Sequence, residues 1–186
     1  MDFIEVVRNR RSVREYTTRS IERSQVERLI ETAILAPSAM NQQPWVFAVL
    51  LDPERIASYA QRAKSWLLAN LSETTFDASA RQMLEDPTFV LFYDAPALVL
   101  VMSKSSEAQA MEDCCLAAEN LLLASRNEGL GSCWIGFARP WLNSPPIKHE
   151  LGLPQNYHVV APIALGHPKA WPVSHGRNPA DIQWLG

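Results

Sequence analysis

Cysteine is scarce in this chain: three thiols, Cys114, Cys115 and Cys133, in 186 residues, two of them adjacent. That number and spacing build neither a disulfide framework nor a CxxC metal site, and a reducing cytoplasm is the expected compartment. Histidine is equally sparse. His149, His158, His167 and His175 make no i, i+4 ligand pair on a helical pattern, so surface or capping roles and no metal are expected. Long apolar runs are missing too. Residues 32–51 form the longest stretch free of Asp, Glu, Lys and Arg, and Pro37, Ser38, Asn41, Gln42, Gln43 and Pro44 interrupt it, which excludes a bilayer span there. No GxSxG elbow is present, so serine hydrolysis has no anchor. Basic charge is not in excess: 17 Lys and Arg against 20 Asp and Glu leave −3, with no general reason to bind nucleic acid or anionic membrane.

What is present is enough apolar material for a core. With 47% hydrophobic and 20% charged residues, the chain reads as one globular domain over residues 1–186. Asp2 as N-cap with Phe3, Ile4 and Val7 predicts a short opening helix. Ser24-Gln25-Val26-Glu27 reads as a capping box for a helix with apolar positions Val26, Leu29, Ile30, Ala33 and Ile34, running to Ala36 before Pro37. Residues 45–51 are a continuous apolar run of strand length, suited to a sheet covered on both faces. Asp52-Pro53 caps a helical but broken stretch to about residue 85, read as a mobile cover. A second buried strand is expected at residues 97–102, and a long helix rich in small residues at 107–127, ended by Gly129. Further strands are expected at 133–137 and 157–165 around a short helix near 147–151, followed by an extended tail from Gly166.

Three segments concentrate polar chemistry. Arg8, Arg10, Arg11 and Arg14 place four guanidinium groups in seven residues beside Ser12, a set that suits a phosphate because guanidinium pairs bidentately with phosphate oxygens. A solvated basic face balanced by Glu5, Glu15 and Glu22 is the competing reading. A nucleic-acid arm is disfavoured, since residues 1–28 carry only +2 and the remainder −5. In Pro37-Ser38-Ala39-Met40-Asn41-Gln42-Gln43-Pro44-Trp45, side-chain amides and a hydroxyl stand ready to hydrogen-bond a heterocycle rim or a polyol, or to serve ordinary turn chemistry. Gly129-Leu130-Gly131-Ser132-Cys133-Trp134-Ile135-Gly136 lacks the GxGxxG order and precedes a strand, so it is not a Rossmann loop. Its glycines either let backbone N–H groups approach a planar ligand or form a helix cap leading into a core strand. Cys133 reads as a buried small hydrophobe.

Together with Gly166-His167-Pro168 followed by Arg177, these segments in this order resemble the FMN-dependent nitroreductase family, over nearly the whole chain. The resemblance implies an α+β fold with a central mixed β-sheet flanked by helices. It also implies an intertwined homodimer with FMN at the subunit interface. Arg10, Arg11, Ser12 and Arg177 would hold the phosphate and ribityl end, and Arg14 would lie near the flavin pyrimidine, a possible electrostatic role. Pro37, Ser38, Ala39, Met40 and Asn41, with Gln43, would reach the flavin of the other protomer. Trp134, Ile135 and Gly136 match the segment along the ring, with the Gly136 N–H a donor to N5. Ala39 stands where members often have a second serine, and His167 where many have an aromatic residue. The chain also lacks the longer insertion between the third and fourth segments, so pocket residues are not carried over, and the family's further flavin contacts within residues 60–90 are not placed.

The function so implied is an FMN-dependent oxidoreductase that takes hydride from NADH or NADPH and passes it to a nitroaromatic or quinone-type acceptor by a ping-pong cycle. No amino-acid nucleophile is required, because the flavin carries the redox chemistry. Competing readings are another flavin reaction of the family, such as dehydrogenation, reductive dehalogenation or flavin fragmentation, and a non-catalytic flavin-binding redox sensor or store.

Overall fold

The computed structural model describes residues 1–71 and 77–186. At its centre, β1 (Trp45–Leu50), β2 (Ala97–Ser103), β3 (Gly131–Trp134) and β4 (His158–Gly166) form a sheet in the order β1-β2-β4-β3. Leu98, Leu100 and Met102 of β2 belong to one apolar cluster, and Ala97, Val99 and Val101 to the other, so alternate side chains serve opposite faces. Residues of α3 (Pro53–Ala69), α4 (Ala78–Glu85), α6 (Arg139–Leu142) and α7 (Pro145–Glu150) complete the first cluster. Those of α2 (Arg23–Ala33) and α5 (Ala108–Asn127) complete the second. Covering both faces removes the polar alternation that a one-sided sheet shows, which is why β2 reads as an unbroken apolar run.

The four strands pair antiparallel throughout, where the resemblance implies a mixed sheet. Among the described residues, parallel pairing is confined to the isolated bridge between Ser12 and Ser132, where the Val13 N–H donates to the Ser132 carbonyl at 3.0 Å. The N-terminal segment touches β3 at that point without becoming a strand.

Helix α1 (Phe3–Asn9) forms on its expected cap, with an Asp2 carboxylate oxygen accepting from the Glu5 N–H at 2.9 Å. Of its apolar side chains only Val6 is buried, and Phe3, Ile4 and Val7 are exposed. The capping box of α2 lies two residues upstream of the expected one, with Glu22 and Gln25 exchanging side-chain and backbone hydrogen bonds. That helix ends at Ala33, because Leu35 and Ala36 make the tighter i→i−3 bonds to Thr32 and Ala33 before Pro37. Strand β3 begins earlier than expected and stops at Trp134, since residues Gly136–Ala138 turn into a 3₁₀ helix. The break expected within residues 53–85 falls between α3 and α4, and residues 72–76 lie outside the described residues. Among the described residues no helix is long and apolar enough to cross a membrane.

Candidate functional site

Residues 12–17 run beside β3 and are fixed by what lies underneath them. Val13 is fully buried, and a Cβ on Gly131 would stand 2.8 Å from its side chain. The Tyr16 hydroxyl donates to the Val13 carbonyl at 2.7 Å, and a Cβ on Gly166 would stand 2.6 Å from the Tyr16 ring. With Val13 and Tyr16 turned inward, Ser12 and Arg14 face outward along the β3 edge of the sheet.

Three adjoining clefts follow that edge, and Arg14 borders all of them. At one end, a cleft of about 190 Å³ is bounded by Arg10, Arg11 and Ser12 on one side and by Pro172, His175 and Arg177 of the tail on the other. Ser12, Glu15, Trp171 and Pro172 border a middle cleft of about 280 Å³. The third cleft, of about 720 Å³, is bordered by Trp134, Ile135 and Gly136 and by the aromatic side chains of Phe89, Tyr93 and Phe137.

The first end is built for an anion. Arg11 spends one terminal nitrogen on the Arg8 and Arg10 carbonyls, at 2.8 and 2.7 Å, while its Nε is buried without a partner. Arg10 has Glu119 near it at 3.8 Å, too long for a tight hydrogen bond. Gathered guanidinium groups with an orphaned buried donor are the arrangement that a phosphate's oxygens would satisfy.

The wide end is built for a plane. Phe89 meets Tyr93 and Phe137 edge to face, at centroid separations of 5.7 and 6.2 Å, and the Arg14 guanidinium lies 5.9 Å over the Tyr93 ring. Tyr93 and Asp94 hold left-handed backbone at φ 55° and 52°, a conformation that costs on the order of 1–3 kcal/mol for each such residue. Strain of this kind sits at the rim of the cleft. Gly136 is exposed, and a Cβ there would meet nothing within 4 Å, so its missing side chain leaves open space beside the backbone N–H. Burial pushes the Tyr93 hydroxyl and the Cys133 thiol up in pKa, with Arg14 opposing in both cases. Both groups therefore stay protonated near neutral pH.

The Pro37–Gln43 segment stands elsewhere. Its Ala39 N–H is shared by both carboxylate oxygens of Asp113, at 3.2 Å each, a residue of α5 that is only 3% exposed. Met40, Asn41 and Gln43 adopt left-handed backbone at φ 51°, 55° and 47°, and the Ser38 hydroxyl accepts from the Gln43 N–H at 3.0 Å. Met40 is 90% exposed. None of Pro37, Ser38, Ala39, Met40, Asn41 or Gln43 borders the three clefts. Within one chain, the structure gathers Arg10, Arg11, Ser12, Arg14 and Arg177, and joins them through Arg14 to Trp134, Ile135 and Gly136. The amide-rich loop points outward.

A sequence model of the Nitroreductase family matches residues 7–167. The chain belongs to the nitroreductase family. It is 34% identical, over 89% of its length and 85% of the other's, to a protein of Archaeoglobus fulgidus provisionally named NADH dehydrogenase/NAD(P)H nitroreductase. It is 27% identical to an iodotyrosine deiodinase of Thermotoga neapolitana, covering 97% of this chain and 96% of that one. Its fold superimposes on the crystal structure of a nitroreductase with bound FMN from Bacteroides fragilis with a TM-score of 0.84 and 27% identity, over 100% of both chains.

Several side chains of the candidate site in this nitroreductase-family chain escape the sequence reading. Met83, Phe89, Tyr93 and Phe137 border the wide cleft, His175 borders the anion cleft, and Asp113 anchors the amide-rich loop. The aromatic density of residues 89–93, which the sequence reading did not use, is the one signal that could have pointed to part of this set. Nothing in the sequence around Asp113 or His175 marks them, because their partners lie 74 and more than 160 residues away.

Proposed function

We propose that this chain is an FMN-dependent oxidoreductase that takes hydride from NADH or NADPH and delivers it to a nitroaromatic or quinone-type acceptor, the two half-reactions alternating on one face. The observation that carries this reading is the continuity of the three clefts through Arg14, which offers a phosphate-sized cationic end and a flat aromatic end in one trough. The FMN in the Bacteroides fragilis nitroreductase supports it.

Bound there, FMN would supply hydride acceptance and return at N5. Arg10, Arg11, Ser12 and Arg177 would hold its phosphate and ribityl end with charge-assisted hydrogen bonds. Arg14 would face the pyrimidine edge, where negative charge gathers on reduction, and stabilise it in a partly desolvated setting. Trp134, Ile135 and Gly136 would lie along the ring, with the Gly136 N–H directed at N5. Phe89, Tyr93 and Phe137 would wall the space in which a planar donor or acceptor stacks. The Pro37–Gln43 loop, turned away from this chain's own trough, fits a role in the partner's site of a homodimer. Burial favours the protonated forms of Tyr93 and Cys133, which suits a reading in which neither acts as base or nucleophile.

Reductive dehalogenation of a halogenated phenol is the second reading, favoured by the near full-length similarity to an iodotyrosine deiodinase. One anaerobic absorbance titration addresses both. Flavin bands should bleach with NADH or NADPH and return with a quinone or nitroaromatic. Return only with a halophenol, releasing halide, would select the second reading, and a chain that takes up no FMN would sink both.

A further inference from the structure

After β4 the chain turns back along residues 15–17. The Thr17 N–H donates to the His167 carbonyl at 2.8 Å, and the Lys169 N–H to the Glu15 carbonyl at 3.0 Å. Residues 170–186 then carry no regular structure. Among the described residues the tail's own hydrogen bonds past Lys169 are local, from the Gly176 N–H to the Ser174 hydroxyl at 3.2 Å and from Arg177 to the Gly176 carbonyl at 2.8 Å. Yet His175 and Arg177 stand across the narrow cleft from Arg10 and Arg11. The Arg177 charge opposes that approach to Arg10 and Arg11, and an attractive contact would offset it.

Such a contact lies just upstream. The Arg126 guanidinium, in the last turn of α5, sits 3.6 Å from the centroid of the Trp171 ring. Arg126 needs it: its Nε is buried with no hydrogen-bond partner, and burial together with the Arg11 charge pushes its pKa down. An indole face is the surface that receives a guanidinium lacking an acceptor. Trp171 borders the middle cleft, not the one that holds Arg177, and Arg126 borders neither. Trp171 therefore reaches the anion end through the tail, whereas Arg126 also adds its charge beside Arg11.

We propose that Arg126 and Trp171 are the positioning pair of the anion cleft: their stack pins the tail to α5, so that Arg177 and His175 close over Arg10 and Arg11 and make the trough selective for a flavin bearing a phosphate monoester. This rests on the FMN reading above and adds to it the residues that set phosphate discrimination.

The test compares FMN and riboflavin, which differ only in the phosphate, by fluorescence titration of the flavin-free full-length chain. Trp171→Ala weakens FMN binding by about fivefold or more, the scale of a partly desolvated cation–π contact, and weakens riboflavin clearly less, through the middle cleft that Trp171 also borders. Trp171→Phe restores most of the loss. Arg126→Met matches Trp171→Ala, and the double variant is no worse than either single one, as expected for two halves of one contact. Thermal midpoints stay level for the Trp171 variants, since the tail is outside the core. FMN affinity unchanged in Trp171→Ala overturns the proposal, as does an equal loss for both flavins. FMN weakened by Arg126→Met but not by Trp171→Ala would make Arg126 a direct ligand and overturn it as well. A wild-type chain that binds neither flavin sinks the cofactor reading, and this inference falls with it.

Discussion

Gly136 and Gly166 lie thirty residues apart and answer opposite needs. A methyl group at Gly166 would press into the Tyr16 ring at 2.6 Å and into Pro96 at 2.7 Å, whereas one at Gly136 would meet nothing of this chain. Gly166→Ala is therefore expected to destabilise the fold by about 1–3 kcal/mol, read as a lower thermal midpoint. Gly136→Ala should leave stability within about 0.5 kcal/mol while FMN uptake or hydride transfer falls, because on the proposed reading the open space it fills would hold the flavin. Equal stability loss in the two variants would remove the argument that Gly136 faces a ligand. Arg14 makes a second residue-scale prediction. Arg14→Ala should lower the flavin midpoint potential and slow hydride transfer while FMN stays bound through the other arginines, as potentiometry and stopped-flow absorbance would show.

Between elements, two contacts decide how the parts are held. Asp113 ties α5 to the amide-rich loop through the Ala39 N–H, and that loop keeps three left-handed residues that would relax if freed. Asp113→Ala should cost about 1–3 kcal/mol and raise hydrogen exchange at residues 39–43 ahead of the rest of α5, while Asp113→Asn retains much of the protection. Uniform exchange along both elements would count against an anchoring role. On the other face, Arg62 of α3 grips Glu150 of α7 at 2.6 Å and also stacks on Tyr59 and Trp141. Hydrogen bonds from Arg62 hold the Glu150 carboxyl down at about 2, against its ordinary 4.5. A depressed carboxylate stabilises the fold fully above its unfolded pKa and loses that contribution as the pH drops toward the folded one. Thermal midpoints of the wild type should therefore fall more steeply between about pH 4.5 and 2 than those of Glu150→Gln, modestly because both side chains are part-exposed.

At the scale of the whole molecule, Phe3, Ile4 and Val7 of α1 are exposed, as are Leu35, Met40, Trp184 and Leu185, several of them by more than 70%. Scattered apolar residues are ordinary on a monomer, and the large ones along α1, the amide-rich loop and the tail are those that the proposed homodimer would bury. The chain is expected to sediment at about twice its 20.9 kDa. Deletion of residues 178–186 should shift it toward monomer with the sheet intact, seen by circular dichroism. A wild-type monomer that keeps FMN would show that the Pro37–Gln43 loop is not part of a shared site.

Local physics wrote several elements into the sequence. Asp2 and Asp52 cap the helices that follow them, residues 45–50 and 97–102 form strands of which only the second is buried throughout, and Gly129 ends the long helix in left-handed backbone at φ 74°. The order of arginine cluster, amide-rich loop, glycine segment and distal Arg177 also carried the family resemblance. Tertiary structure decided what depends on distant partners. It chose Glu22 over Ser24 as the cap of α2, ran the sheet antiparallel, turned Phe3 outward, and set Phe89, Tyr93 and Phe137 around one cleft. It also placed Trp171 on Arg126 and Asp113 under Ala39. Caps and periodicity act over three or four residues and can be read along a line, whereas a stack or a shared N–H across 45 or 74 positions exists only once the sheet has brought its ends together.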